Sequence, residues 1–257
     1  MRRRLDVEMV RRHLVDSRAA AARAIRERRV VVTGTPLPKP ATMVDGATAV
    51  RILEDGPRYV SRGGLKLEAA IREFRVGVAG RGAIDVGAST GGFTHCLLEH
   101  GASHVVAVDV GYGQLHLRMR DDPRVTVVER TNIRYADPGA LGAPFDLVVA
   151  DVSFISLRTI CHVLVELGNG RSDYLLLIKP QFEAGRGAVD RRGVVRDRRT
   201  RAGAVLDTIT GLAGAGLGAV AVTPSPIKGA NGNREVMGLF RHGANRVAAD
   251  TVREAVR

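Results

Sequence analysis

Two cysteines in 257 residues, Cys96 and Cys161, are too few for a disulfide framework, and neither stands at metal-ligand spacing. Both sit in apolar, helix-like surroundings, the setting of an inert core thiol, so no metal is expected. Tryptophan is absent and aromatics reach only 4%, while 45% of the chain is hydrophobic, the balance of an ordinary globular protein. Long apolar runs are missing too. The longest uncharged stretch, Thr208–Ile227, is broken by Gly211, Gly214, Gly216, Gly218, Pro224 and Pro226, which suits a helix end, a turn and a strand rather than a membrane span. The basic N-terminus lacks the apolar core of a signal peptide, so a cytoplasmic protein without membrane contact is expected. Acidic residues are also scarce: 27 against 39 Lys and Arg, a net charge of +12.

That surplus is carried mainly by arginine. Residues 2–29 hold one cluster, and Arg191, Arg192, Arg196, Arg198, Arg199 and Arg201 form a second. Guanidinium groups suit bidentate phosphate contacts, so the charge points towards nucleic acid. The competing explanation is coding bias, because GC-rich genes enrich Arg, Ala, Gly and Val together.

The length allows one full domain and a small one. Residues 1–57 read as the small unit, 58–64 as a hinge and 65–257 as the large unit. In the small unit Leu5, Met9, Leu14, Ala22 and Ile25 recur at helical spacing, with Asp16-Ser17 as a helix start between two short helices. Val30–Val32 reads as a strand entering a turn at Gly34, and Ala49–Leu53 as its return. Glu54-Asp55-Gly56-Pro57 breaks the pattern and marks the boundary.

After a helix at Leu65–Phe74 the chain alternates strands and helices. Strands are expected near 82–86, 104–109, 125–129, 145–151, 173–179, 218–223 and 234–241, with helices near 91–100, 114–120, 156–167 and 198–214. Such alternation predicts an α/β fold with an open parallel sheet covered on both faces. Ligands bind such sheets at the carboxyl ends of the strands.

One strand end stands out. Ala83-Ile84-Asp85-Val86 runs into Gly87-Ala88-Ser89-Thr90-Gly91-Gly92-Phe93, a glycine-rich turn followed by a helix. Glycines let backbone approach a ligand, and the helix start presents free N–H groups. The Gly-x-Gly-x-x-Gly pattern of a pyrophosphate site is absent. The turn instead resembles the S-adenosylmethionine-binding turn of class I methyltransferases. Val105–Val108 ends in Asp109, whose carboxylate is placed to accept cofactor ribose hydroxyls. Asn132, after the third strand, suits the adenine side. The cofactor candidates are therefore Asp85, Gly87, Ser89, Gly91, Gly92, Phe93, Asp109 and Asn132.

Four further residues fall on the same edge or beside it. Asp151 ends the strand Phe145–Ala150, Lys179 ends Tyr174–Ile178, Glu235 opens the last strand and Lys66 precedes the first. The order Lys66, Asp151, Lys179, Glu235 resembles the tetrad of FtsJ-like ribose 2′-O-methyltransferases. The small unit, with Arg-Leu-Asp at 4–6, Asp16-Ser17-Arg18, Val30-x-Val32-x-Gly34 and Lys39-Pro40, resembles the S4 RNA-binding domain. Together with Ser61-Arg62-Gly63-Gly64, Asp109–Gln114, Glu129–Asn132, Asp151–Leu157, Lys179–Glu183 and Gly232–Glu235, these motifs make nearly the whole chain resemble the TlyA family of ribosomal RNA cytidine-2′-O-methyltransferases.

The resemblance implies S-adenosylmethionine as cofactor and cytidines of rRNA, within subunits or ribosomes, as substrate, with the chain acting as a monomer. The basic Arg2–Arg4 and a C-terminal helix near Ala248–Arg257 match the longer family form, which acts on both subunits. Some relatives carry Trp where Tyr59 sits. A sugar hydroxyl titrates far above neutrality, so its proton must leave during transfer. Lys179 is the expected base, with its ammonium disfavoured by nearby Lys66 and by partial burial, and with Asp151 and Glu235 orienting the lysines. The S4 likeness implies RNA contact by Arg2, Arg4, Arg18 and Lys39. Arg62, Arg130, Arg134 and Arg186 fall in hinge or strand-end loops, where backbone contact competes with plain solvation. Loop 180–197 is placed to close over the target. A non-enzymatic RNA-binding or assembly factor and a haemolysin are the alternative readings. A pseudouridine synthase can carry an S4 domain but would not use the cofactor turn.

Overall fold

The computed structural model describes residues 2–53, 58–244 and 247–256. These form two compact units, Met1–Val60 and Ser61–Arg257. The expected boundary at Glu54–Pro57 lies outside the described residues.

The small unit contains β1 (Arg3–Arg4), α1 (Leu5–Arg11), α2 (Arg18–Arg26), β2 (Val30–Val32), β3 (Met43–Val44) and β4 (Val50–Ile52). Ser17 caps α2 as its sequence position suggests, its Oγ accepting from Ala20 N at 3.1 Å. Leu5 and Met9 from α1, Ala21, Ala24 and Ile25 from α2, and Val30 and Val32 make one core, the one-sided burial that 3.6-residue spacing produces. β2 and β4 pair antiparallel, whereas the β1–β3 pair, with Arg3 opposite Val44, is too short to leave a sequence pattern. Asp6 and Glu8 are buried in this arginine-rich unit. Arg4 and Arg18 hydrogen-bond Asp6, and Arg11 and Arg12 bond Glu8. The bonds from Arg4 and from Arg11 are the main reason both carboxyls are held down to about 2.

The large unit opens with α3 (Gly63–Phe74) and continues as β5 (Gly82–Val86), α4 (Gly92–Glu99), β6 (His104–Val108), α5 (Leu117–Arg120), β7 (Val125–Val128), β8 (Leu147–Ala150), α6 (Cys161–Glu166), β9 (Asp173–Ile178), α7 (Pro180–Glu183), α8 (Arg198–Gly214), β10 (Leu217–Pro224), β11 (Val236–His242) and α9 (Ala249–Ala255). Seven strands form one sheet in the order β10-β11-β9-β8-β5-β6-β7. Five of them, β9 to β7, run parallel. β11 inserts antiparallel to both β9 and β10. This modifies the all-parallel expectation: a link of eleven residues with no long helix joins β10 to β11, enough for a hairpin but not for a crossover.

The central strands are mostly apolar, as burial on both faces requires, with Asp85 as the buried exception within β5 and Asp173 at the start of β9. Leu147–Ala150 and Tyr174–Ile178 are wholly buried, and Ile84, Val106, Val148 and Leu176 belong to one core with residues of α8 and α9. Thr208–Ile227 resolves into the end of α8, a turn at Gly216 and β10. Residues 156–167, expected as one helix, start as a 3-10 turn at Leu157–Ile160 before α6. Part of the expected loop 180–197 is instead helical, as α7 and a 3-10 turn at Arg186–Ala188.

Candidate active site

The reversal from β5 to the neighbouring strands puts the Gly87–Phe93 turn beside the ends of β6, β8 and β9. Gly87 adopts φ +84°, and a Cβ there would lie 2.8 Å from the Asp151 carbonyl oxygen. Only glycine lets the turn pass so close to the end of β8. Gly92, at the start of α4, has no such φ, but a Cβ would collide with Ser61 Oγ and press on Gly64 N, so α3 and α4 meet closely here.

A cavity of about 510 Å³ follows this turn, with Gly87, Ser89, Asp109, Asn132, Val152 and Phe154 among its lining residues. Asp109 is fixed within it: its Oδ2 accepts from Ser89 N and its Oδ1 from Gly111 N, both at 2.7 Å. Each oxygen keeps a further lone pair for a hydroxyl donor. Asn132 uses its side-chain carbonyl to cap Arg134 N at 3.1 Å, which leaves its amide N–H groups to donate. Asp85 departs from expectation. It is fully buried and does not line the cavity. Its Oδ2 accepts from Thr94 N at 2.9 Å and Thr94 Oγ1 at 2.6 Å, so it ties the turn to α4 from below. Burial pushes its carboxyl up to about 7 against those hydrogen bonds. Gly91 also lies beneath, where a Cβ would meet Leu115 and Met119.

A second hollow of about 160 Å³ adjoins the first, sharing Gly87, Ser89, Asp151 and Ser153, and is lined also by Ser61, Phe93 and Lys179. Lys179, 8% exposed, places its Nζ 2.5 Å from Asp151 Oδ1 and donates to Ser153 Oγ at 2.9 Å. Lys66 and Glu235, 8% and 4% exposed, form a separate pair at 2.5 Å. Gln181 Nε2 donates to Glu235 at 3.2 Å, joining that pair to the segment after Lys179. The arrangement differs from the expected lysine–lysine repulsion: each ammonium is matched by its own carboxylate. Ser153, Gln181 and Thr94 carry these contacts without having been singled out from sequence. Their only signal is position, two residues past Asp151, two past Lys179 and in the first turn of α4.

Buried acceptors, a turn open to a ligand and a cavity with both donors and acceptors form a site that fits an adenosine-bearing cofactor. A family profile for FtsJ-like methyltransferases matches residues 59–241, and an S4 domain profile matches residues 3–50. The 16S/23S rRNA (cytidine-2′-O)-methyltransferase TlyA of Mycobacterium tuberculosis is 49% identical over 91% of this chain and 88% of its own. The chain belongs to the TlyA family. It is thus an FtsJ-like methyltransferase with a class I α/β fold and an N-terminal S4 domain. Another relative, Hemolysin A of Brachyspira hyodysenteriae, is 37% identical over 92% of this chain and 99% of its own. A solved structure from Streptococcus thermophilus superimposes with a TM-score of 0.78 at 35% identity, covering 99% of this chain and 94% of that one.

The remaining positions read from sequence distribute unevenly in this TlyA-family chain. Arg2 and Lys39 are exposed, while the Arg4 and Arg18 guanidinium groups are engaged with Asp6. Arg62, Arg130 and Arg134 are exposed in the large unit; Arg130 lies over the Tyr112 ring at 4.1 Å and Arg134 near the Tyr135 ring at 5.4 Å. The Arg186 side chain is outside the described residues. Phe154, at φ +64° and 92% exposed, stands at the cavity beside the Phe182 ring, 5.1 Å away. Among the described residues no cluster of His, Cys, Asp or Glu could hold a metal ion, and no helix is long and apolar enough to cross a membrane.

Proposed function

We propose that the chain transfers methyl groups to the ribose 2′-hydroxyl of cytidines in ribosomal RNA, in both the small and the large subunit. The observation that carries this reading is the position of Lys179: its amine lines a hollow together with Gly87, Ser89 and Gly92, and Asp151 stands 2.5 Å from it. S-adenosylmethionine would supply an electrophilic methyl group. Asp109 would accept from its ribose, Asn132 would donate at its adenine end, and the backbone of Gly87–Ser89 would flank it.

To act as the base Lys179 would first lose a proton to solvent; it would then take the hydroxyl proton, and the ammonium re-formed would be held by Asp151 and Ser153. The Lys66–Glu235 pair and Gln181 hold the ribose and keep the Lys179 segment in place. Holding the reacting atoms in line supplies much of the acceleration. The S4 unit would grip RNA phosphates through Arg2, Arg4, Arg18 and Lys39. Arg4 and Arg18 would have to share their guanidinium groups with Asp6. Exposed Arg62, Arg130 and Arg134 would hold the backbone near the target. Arg186 would join them. The exposed aromatic–arginine pairs at Tyr112 and Tyr135 are the surfaces on which unstacked bases are held.

The test is transfer of labelled methyl from S-adenosylmethionine to each purified ribosomal subunit, followed by nucleoside mass spectrometry. The expected product is 2′-O-methylcytidine from both. A base-methylated nucleoside would overturn the chemistry, and label in one subunit alone would overturn the dual specificity.

A further inference from the structure

The second arginine cluster of the sequence has no role in the site described above. It falls on a loop that runs into the first turn of α8, residues 190–199, with Arg201 just behind in the helix, and the structure stitches this segment to another, residues 228–234, that leads directly into Glu235. Asn231 Nδ2 donates to Arg192 O at 2.7 Å, and buried Asn233 donates to Gly193 O at 2.9 Å while its Oδ1 accepts from Val195 N at 3.3 Å. The two loops are therefore one surface. Arg191, Arg192, Arg199, Lys228 and Arg234 are exposed on it, and among the described residues none of these five has a carboxylate within ion-pair distance. Many other arginines of this unit are matched: Arg81 and Arg241 by Asp173, Arg120 by Glu129, Arg124 by Asp122.

Beneath the loops lies a second, independent sign. Arg201 is 9% exposed, its guanidinium bonds only carbonyl oxygens (those of Val195, Arg196 and Val256), and its Nε has no partner among the described residues. Burial, and then the charge of Arg234, hold its basicity below the ordinary arginine value. Asp190 pairs with Arg196 and Asp197 caps α8 on the same segment, but the five exposed cations and buried Arg201 outnumber these carboxylates, so the surface stays positive. Such a concentration is relieved by a polyanion, and its field draws one in.

We propose that the 190–199 and 228–234 loops form a second phosphate-contacting surface, on the methyltransferase unit itself, that holds the RNA backbone flanking the target ribose. It rests on the reading of the chain as an RNA methyltransferase. Its position next to Glu235 lets it act on the strand that enters the site rather than on distant RNA.

The test uses the full chain with R191Q, R192Q, R199Q and R234Q combined, none of which touches the reacting groups. Binding to intact subunits and to deproteinised rRNA is measured from 50 to 200 mM KCl. Each lost phosphate contact lowers the log–log salt slope by about 0.7–0.9, so a fall of about 3 is expected if all four engage. The KM for RNA should rise at least tenfold, with kcat at saturating RNA and S-adenosylmethionine affinity unchanged. Thermal stability should be unchanged or higher, since Arg234 repels Arg201. A salt slope and KM equal to wild type would overturn the proposal. So would a loss of binding to subunits with none to bare rRNA, which would make the partner a ribosomal protein. Wild-type protein that methylates no rRNA would sink the functional reading, yet the salt slope would still report on this surface.

Discussion

Asp85 offers the sharpest quantitative test, because burial is the largest influence on its carboxyl and outweighs the hydrogen bonds from Thr94. The carboxyl is fully buried beneath the cofactor turn and is raised from 3.8 to about 7. Below pH 3.8 the folded and unfolded states both hold the proton. Between 3.8 and about 7 only the folded state keeps it, so unfolding releases a proton and stability falls as pH rises. Above about 7 the loss is complete. At about 1.4 kcal/mol for each pH unit, the difference amounts to at most about 4 kcal/mol, and local relaxation would leave about 2–4. Asp85→Asn has the same shape, still accepts from both Thr94 donors and cannot titrate. Chemical denaturation of both proteins from pH 5 to 8 isolates the effect, because every other group cancels in the difference. The variant should gain stability relative to wild type steadily up to about pH 7 and no further. A difference independent of pH would refute the argument and mean that Asp85 is ionised in its pocket. S-adenosylmethionine affinity should change little, since the carboxylate does not line the cavity.

Lys179→Ala should lower methyl transfer by about 10²–10⁴-fold while cofactor binding by calorimetry persists, whereas Asp109→Ala should weaken cofactor binding first, as it also frees Ser89 N and Gly111 N. Equal loss of both properties in both variants would contradict the assigned roles. Glu235→Ala leaves Lys66 buried and unpaired, so a destabilisation of about 3–5 kcal/mol is expected. Lys66→Met with Glu235→Leu should recover stability without activity; recovery of neither would show that the pair is not the source of the loss. Gly92→Ala forces a methyl against Ser61 Oγ and Gly64 N, with a cost of about 1–3 kcal/mol from overpacking that a melting curve would detect, and an unchanged melting curve would show that the two helices can separate freely.

The legible part of this protein was local in sequence. Apolar runs of four or five residues ending at Asp109, Asp151 and Lys179, and the shorter Ala83-Ile84 before Asp85, located strands of the sheet and the edge where they emerge, because burial on both faces demands continuous hydrophobicity and the chain must turn polar where it emerges. Ser17 was readable as a helix cap for the same reason: its partner, Ala20, is three residues away.

What the sequence by itself determined, then, is the α/β alternation, the glycine turn and the set of chemical groups at the strand ends. Tertiary structure alone decided how those groups meet. Lys66 and Glu235 are separated by 169 positions, and no spacing rule says that Lys66 pairs with Glu235 while Lys179 pairs with Asp151. Nor did sequence place Asp85 below the turn and Asp109 inside the cavity: Asp85 is the fourth residue of β5, in register with Ala107, whereas Asp109 lies just past the end of β6, and only the strand register shows the difference. The antiparallel β11 and the joining of the 190–199 loop to the 228–234 loop are of the same kind. Each depends on which surfaces remain to be covered once the sheet has formed, a property of the packed chain and not of any segment of it.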